Sequence, residues 1–444
     1  MCTSTHLDRI PPMPSPLDAP LLNGPVPVVV TASAAAAGAF LLWTRRRTWW
    51  TRVVPVSAAA CALLAVGVGV AVDVLWRPFP EPLPPVLLVW LGLAVLGVVL
   101  AVARWRHAGW SARALAVFSA VLVLVGGLSG VNQYFAQYST LRSALGASDT
   151  VSLDAAAKPA ADEVHVPEGA RLVDVWTPPA DLPTRGTLSR TPIPSSTDYR
   201  PRDAMVYLPP AYAATPRPRL PVLVLLSGQP GTPRDWIDAG ELVRHLDAYA
   251  RAHKGLAPVV VVPDQLGSTT ANPMCLDSPL GKTETYLAKD VPDWVRARLQ
   301  VDGSRGAWTI AGLSQGGTCS FQLAVRAPSV YGRFIDVSGQ REPTLGNRAD
   351  TVRAAFGGDE QAFHRVNPLD VLKSTRFPDT QGMVVAGRDD STYHDQDREV
   401  YEACLRAGMD VRWRELPGGH DWTVWRPGLV DALPWLGERT GLGG

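Results

Sequence analysis

Gly312-Leu313-Ser314-Gln315-Gly316 has the G-x-S-x-G spacing that sets a serine on a tight turn between a strand and a helix. The turn exposes the serine hydroxyl for nucleophilic attack. It is tight enough that a side chain at Gly312 or Gly316 would strike the neighbouring strand and helix. The flanking residues supply the context: Ala307-Trp308-Thr309-Ile310-Ala311 reads as a short buried strand, and Thr318 to Arg326 as a helix. A strand, nucleophile and helix in that order predict an α/β fold, a mostly parallel central sheet with helices on both faces.

An exposed serine needs a base and an orienting acid, and in this setting the chain order is Ser, then Asp or Glu, then His. Of the downstream histidines, His420 lies late and in a loop (Leu416-Pro417-Gly418-Gly419-His420-Asp421-Trp422) that follows a strand-like segment, Val411 to Glu415. It is the expected general base. His364 falls in a helical stretch before the candidate acid, and His394 in the polar start of a later helix; both read as surface residues. The apolar run Gly382 to Ala386 predicts a core strand ending in Gly387-Arg388-Asp389-Asp390, at the sheet edge where such folds carry their chemistry. Asp390 has the spacing that turns a carboxylate toward the histidine. Asp389 is the alternative, and either one suits a cap for the helix beginning near Ser391. For the oxyanion, the expected donors are the N–H of Gln315 and that of Gln229, which follows the strand-like Leu220 to Leu226. An ordinary turn is the other reading of Gly228 to Gly231.

From about Gly186 to Leu436 these pieces resemble the putative-esterase branch of the α/β-hydrolases, which includes esterase-D-like enzymes and secreted mycolyltransferases. The resemblance rests on Val206-Tyr207-Leu208-Pro209-Pro210-Ala211-Tyr212, Ser227-Gly228-Gln229, Glu284-Thr285-Tyr286-Leu287 with Asp290-Val291 and Trp294-Val295, Gly312 to Gly317, and His420-Asp421-Trp422 with Trp425. It implies an α/β-hydrolase fold and ester chemistry through an acyl-enzyme. Mycolyltransferase-type members carry an Asp where this chain has Ser227 and a Glu acid where it has Asp390. Those departures favour a general esterase over transfer of acyl chains to a cell-envelope sugar.

The first third of the chain is different. Pro25 to Trp43, Val53 to Leu75, Val86 to Ala103 and Ala114 to Val131 are dominated by Ala, Val and Leu, with Asp73 their one charge. Each is long enough to cross a hydrocarbon core and lacks the polar face of a soluble helix. Arg45, Arg46, Arg47 and Arg52 separate the first two, and Arg104, Arg106 and Arg113 the last two, whereas Trp76 to Pro85 carries only Arg77. The positive-inside rule makes the Arg-rich connections cytoplasmic, and so puts the N-terminal segment 1–24 and the C-terminal domain outside. With Arg9 as the firm charge of its start, that segment does not read as a cleaved signal. The expected organisation is four spans over 25–131, a linker over 132–185 with a short strand at Arg171 to Trp176, and the hydrolase over 186–444. The lipid bilayer is the expected partner, beside an ester or acyl-lipid substrate.

A hydrophobic share of 46% fits an apolar third averaged with an ordinary globular remainder, and a net charge of +1 leaves no electrostatic footprint for nucleic acid. No C-x-x-C or His/Cys cluster suggests a metal site, and no cofactor is expected. Cys275 and Cys319 are the pair expected to bond, since Cys319 begins the helix after the elbow and Cys275 lies in a loop at the same sheet edge; buried free thiols are the alternative. Three functions follow: a membrane-anchored esterase, an acyltransferase, or a non-catalytic scaffold that keeps the fold.

Overall fold

Val222–Leu226 and Val259–Val262 are unbroken apolar runs, the pattern of strands covered on both faces. In the structure, a computed structural model describing residues 15–77, 81–105, 109–158 and 160–443, they lie inside an eight-stranded sheet. Cys2, Arg9 and Arg106 lie outside the described residues. The strands are β1 (Thr187–Thr191), β2 (Ala204–Leu208), β3 (Val222–Leu226), β4 (Val259–Val262), β5 (Trp308–Leu313), β6 (Arg333–Val337), β7 (Gln381–Gly387) and β8 (Asp410–Leu416). Their spatial order is β1-β2-β4-β3-β5-β6-β7-β8. From β4 to β8 all neighbours are parallel, while β2 is antiparallel to β1 and β4. This is the expected mostly parallel sheet, with helices on both faces. Alternate side chains divide it into two cores: Val222, Val224 and Leu226 pack on one face, Leu223 and Leu225 on the other. Each such buried side chain contributes roughly 1.5–3 kcal/mol.

The register positions the chemistry. Leu226 pairs with Gly312, Leu313 with Val337, Val337 with Val385, and Gly387 with Leu416. The loops after β3, β5, β7 and β8 therefore leave the sheet along one edge.

Among the described residues four helices, α1 (Pro25–Leu42), α2 (Trp49–Trp76), α3 (Pro85–Trp105) and α4 (Trp110–Phe135), are long and apolar enough to cross a membrane by length and composition. At one end Arg104 donates to the carbonyls of Leu41 (3.0 Å) and Trp43, with its guanidinium over the rings of Phe40 and Trp49. It ties α1, α2 and α3 together beside Arg45 to Arg47. At the far end of α4, Arg426 of the sheet domain donates to Ala136 O (3.1 Å), Gln137 O (3.2 Å) and Ala239 O (2.8 Å). Bundle and sheet are thus bonded through the chain that leaves α4.

The expected strand at Arg171 to Trp176 is instead a single helical turn, Leu172–Val175. The reason is a different backbone partner: Val173 N–H donates to Gly441 O at the chain end, not to a strand edge. Leu153, Leu172 and Trp176 are buried in the sheet's core, so the segment between bundle and sheet is packed down rather than free.

Candidate active site

β5 ends at Leu313 and helix α5 (Gln315–Arg326) begins at once, three residues earlier than the sequence pattern suggests. Ser314 between them has φ 51° and ψ −120°, a region that L side chains rarely occupy. The flanking glycines are required by close approach. A Cβ at Gly312 would lie 2.3 Å from Gly316 O, and one at Gly316 2.4 Å from Ser227 O at the end of β3. The turn is pressed against its own far side and against the neighbouring strand.

Ser314 Oγ lies 2.9 Å from His420 Nε2, and His420 Nδ1 lies 2.8 Å from Asp390 Oδ2. With Nδ1–H donating to the carboxylate, Nε2 is left to accept the serine proton. Asp390 performs both tasks open to it in the sequence. One oxygen orients His420, and the other accepts the N–H groups of Thr392 (3.1 Å) and Tyr393 (2.9 Å) ahead of helix α6 (His394–Arg406). Asp389 is exposed and bonded elsewhere: its N–H donates to Gly418 O (2.9 Å) and its carboxylate accepts Gly418 N–H (3.2 Å), clipping the acid loop to the histidine loop. Asp421 caps helix α7 (Trp422–Thr440) by accepting Thr423 N–H at 2.7 Å, which fixes the residue next to His420. The rings of Tyr393 and Trp425 lie against the imidazole at 4.5 and 5.0 Å. His364 is bonded to Asp370 (2.6 Å) and His394 to Glu415 (3.0 Å), so neither joins this group.

Burial pushes the Asp390 carboxyl up, but the hydrogen bond and charge of His420 and the two backbone N–H groups outweigh it and hold the group below its ordinary value. A depressed carboxyl contributes stability above the ordinary carboxylate range and loses it only as pH falls through the lower folded value. Asp390 is therefore ionised throughout the neutral range.

Gly228, after β3, sits beside the nucleophile: a Cβ there would be 3.4 Å from Ser314 Cβ. Gln229 follows it, and its side chain donates to Thr270 O at 2.8 Å. Gln315 opens α5, so its N–H has no carbonyl a turn earlier to bond. Its side chain is held from behind. Gln265 Nε2 donates to Gln315 Oε1 (3.1 Å) and to Ser227 O (2.6 Å), and Gln315 Nε2 donates to Asn272 Oδ1 (3.2 Å). A disulfide joins Cys275 to Cys319, linking the Asn272 loop to the same helix. Sequence reasoning missed Gln265, Asn272 and Tyr393. Gln265 had a usable signal, since it stands just past β4 at the chemical edge of the sheet.

Asp336 at the end of β6 and Asp397 on α6 are fully buried beside this group. Burial raises both carboxyls; Asp397 is raised further by the charges of Asp336 and Asp390, while the Gly339 N–H lowers both. A raised carboxyl contributes fully below the ordinary carboxylate range and loses that contribution as pH climbs toward the raised value. Asp397→Asn is accordingly expected to raise Tm by about 2–4 °C at pH 8, with a smaller rise at pH 5; thermal unfolding at the two pH values measures it.

Among the described residues no cluster of His, Cys, Asp or Glu has the makings of a metal site. Residues 195–436 match the family described as Putative esterase. An uncharacterized protein of Corynebacterium glutamicum is 35% identical over 390 residues, spanning 86% of this chain and 88% of its own length. A match of that length reaches into the apolar helices. An acetyl esterase of Caldicellulosiruptor saccharolyticus is 21% identical over 234 residues, covering 49% of this chain and 84% of that protein. Among solved structures, a ferulic acid esterase superposes with a TM-score of 0.51 at 21% identity, over 57% of this chain and 98% of that one, which is a likeness of fold.

Proposed function

The chain belongs to the putative esterase family, whose substrates are carboxylic esters, and from that premise we propose that it is a membrane-anchored serine esterase working outside the cytoplasm. The observation that carries this reading is the continuous relay of Ser314 Oγ, His420 and Asp390 at 2.9 and 2.8 Å. In the first step Ser314 attacks the ester carbonyl as His420 takes its proton. The imidazolium is stabilised by Asp390, and the N–H groups of Gln229 and Gln315 receive the oxyanion. The proton then passes from Nε2 to the departing alcohol, leaving an acyl-serine. Water, activated by the same histidine, releases the acid.

Anchoring and sidedness rest on the four apolar helices and on the arginines. Arg45 to Arg47 and Arg104 gather at one end of the bundle, and the sheet domain is bonded to the other through Arg426. With the arginine end in the cytoplasm, the esterase faces outward. The test is to label intact cells with a membrane-impermeant fluorophosphonate, and to follow p-nitrophenyl ester turnover with acyl chain length in the solubilised full chain. Labelling of intact cells is expected. Labelling that appears only after the cells are opened would reverse the orientation, and a folded protein that neither labels nor turns over any ester would sink the enzymatic reading.

A further inference from the structure

The triad does not account for a second carboxylate beside His420, and that carboxylate comes from the helical bundle. Glu81 lies in the connection between α2 and α3, the one without an arginine cluster, and its Oε1 stands 3.9 Å from His420 Nε2. Pro82, Pro84 and Pro85 follow it, each with φ fixed by its ring, so the stretch 81–85 holds its shape at low entropic cost. Asp73, the single charge in the apolar stretches, accepts Leu83 N–H at 3.0 Å and braces the same loop from the end of α2. The Glu81 side chain is 35% exposed, so solvent and substrate reach it.

At 3.9 Å, Glu81 is too far from Nε2 to hydrogen-bond it, yet the gap has a definite capacity. One oxygen atom placed about 2.8 Å from each end completes hydrogen bonds to both. The Nε2 side of His420 is also where the attacking group of the second step must stand, because its proton goes to that nitrogen. A water there has two O–H groups to give, one to Nε2 and one to the carboxylate. A monohydric alcohol has one, and leaves an acceptor unmatched. Burial pushes the Glu81 carboxyl up and the charge of His420 draws it down, with Asp390 adding to the rise; Tyr393 also feels the Glu81 charge.

We propose that Glu81 is a positioning residue for the deacylating water, reaching from the bundle into the esterase site and biasing the enzyme toward hydrolysis over transfer to simple alcohols. The inference rests on the acyl-serine reading above. In the step itself the water oxygen bonds to the acyl carbonyl carbon while one water proton moves to His420 Nε2. The second O–H stays hydrogen-bonded to Glu81. The tetrahedral intermediate then expels Ser314 Oγ, which recovers the proton from Nε2, and the carboxylic acid departs. Glu81 gains and loses nothing; it orients.

Burst kinetics with a p-nitrophenyl ester separate the two steps, and added methanol reads the partition of the acyl-enzyme between acid and methyl ester. In the full-length protein, Glu81→Ala is expected to slow deacylation about 10-fold more than acylation, and to lower the ratio of hydrolysis to methanolysis by a similar factor. Glu81→Gln, which keeps an accepting oxygen and the side chain's shape, is expected to recover most of both. Unchanged ratios in Glu81→Ala would overturn the proposal, as would equal slowing of the two steps, the mark of general damage to the site. A wild type that forms no covalent fluorophosphonate adduct and yields no methyl ester from added methanol would overturn the acyl-serine reading and this one with it.

Discussion

Ser314→Ala is expected to lower kcat for p-nitrophenyl ester hydrolysis by about 10⁵-fold or more, and to abolish fluorophosphonate labelling. The loss is large because the serine and histidine act as one unit: without Oγ no acyl-enzyme forms, and the oxyanion donors alone provide only a small residual rate. Stability should follow a different pattern. Alanine at 314 keeps the φ of 51° and its strain, so Tm should stay close to that of the parent. Glycine adopts that backbone freely, so Ser314→Gly should be equally inactive and melt higher than Ser314→Ala. Activity that survives in Ser314→Ala, with the protein folded, would remove the serine from the mechanism.

Asp390→Asn is expected to cost about 10³–10⁴-fold in kcat. An asparagine amide facing His420 Nδ1 favours the wrong tautomer, leaving a proton on Nε2 where the serine proton must go. Asp389→Asn is expected to cost less than about tenfold, because Asp389 is exposed and clips Gly418 rather than the imidazole. Since Asp390 is held below its ordinary range, it does not set the acidic limb of the kcat/KM profile near neutrality; that limb belongs to another group of the free enzyme. Equal losses in the two variants would return the choice of acid to open ground.

The pattern of residues made some parts of this site legible and hid others, for physical reasons. The elbow could be read because a serine between two glycines answers a local steric demand, visible within five residues. Asp390 and His420 could be read because each follows an apolar strand at a fixed offset, and the parallel register brings those strand ends to one edge. Gln265 and Asn272 act by supporting Gln315 from behind, and a supporting amide carries no periodic signature. The sequence of the helical turn at Leu172–Val175 reads as a strand because Val and Leu serve either state, and the deciding bond runs to Gly441, far away in the chain. Glu81 is hidden for a similar reason. In the sequence it is a lone acid between prolines, and only the docking of the sheet domain onto the end of α4 turns that loop toward His420.

The Arg426 clamp has a consequence for how the enzyme meets its substrate. Arg426, in the first turns of α7, follows closely on His420, and it grips the carbonyls that close α4, so Ser314 is held at a set height over the helix ends. With the four helices in a bilayer, as proposed, an ester dissolved in lipid encounters the site as a mole fraction of a surface, not as a bulk molarity. For such esters, diluting the surface with inert detergent or lipid slows turnover even at constant total substrate, whereas a water-soluble ester is indifferent to the change.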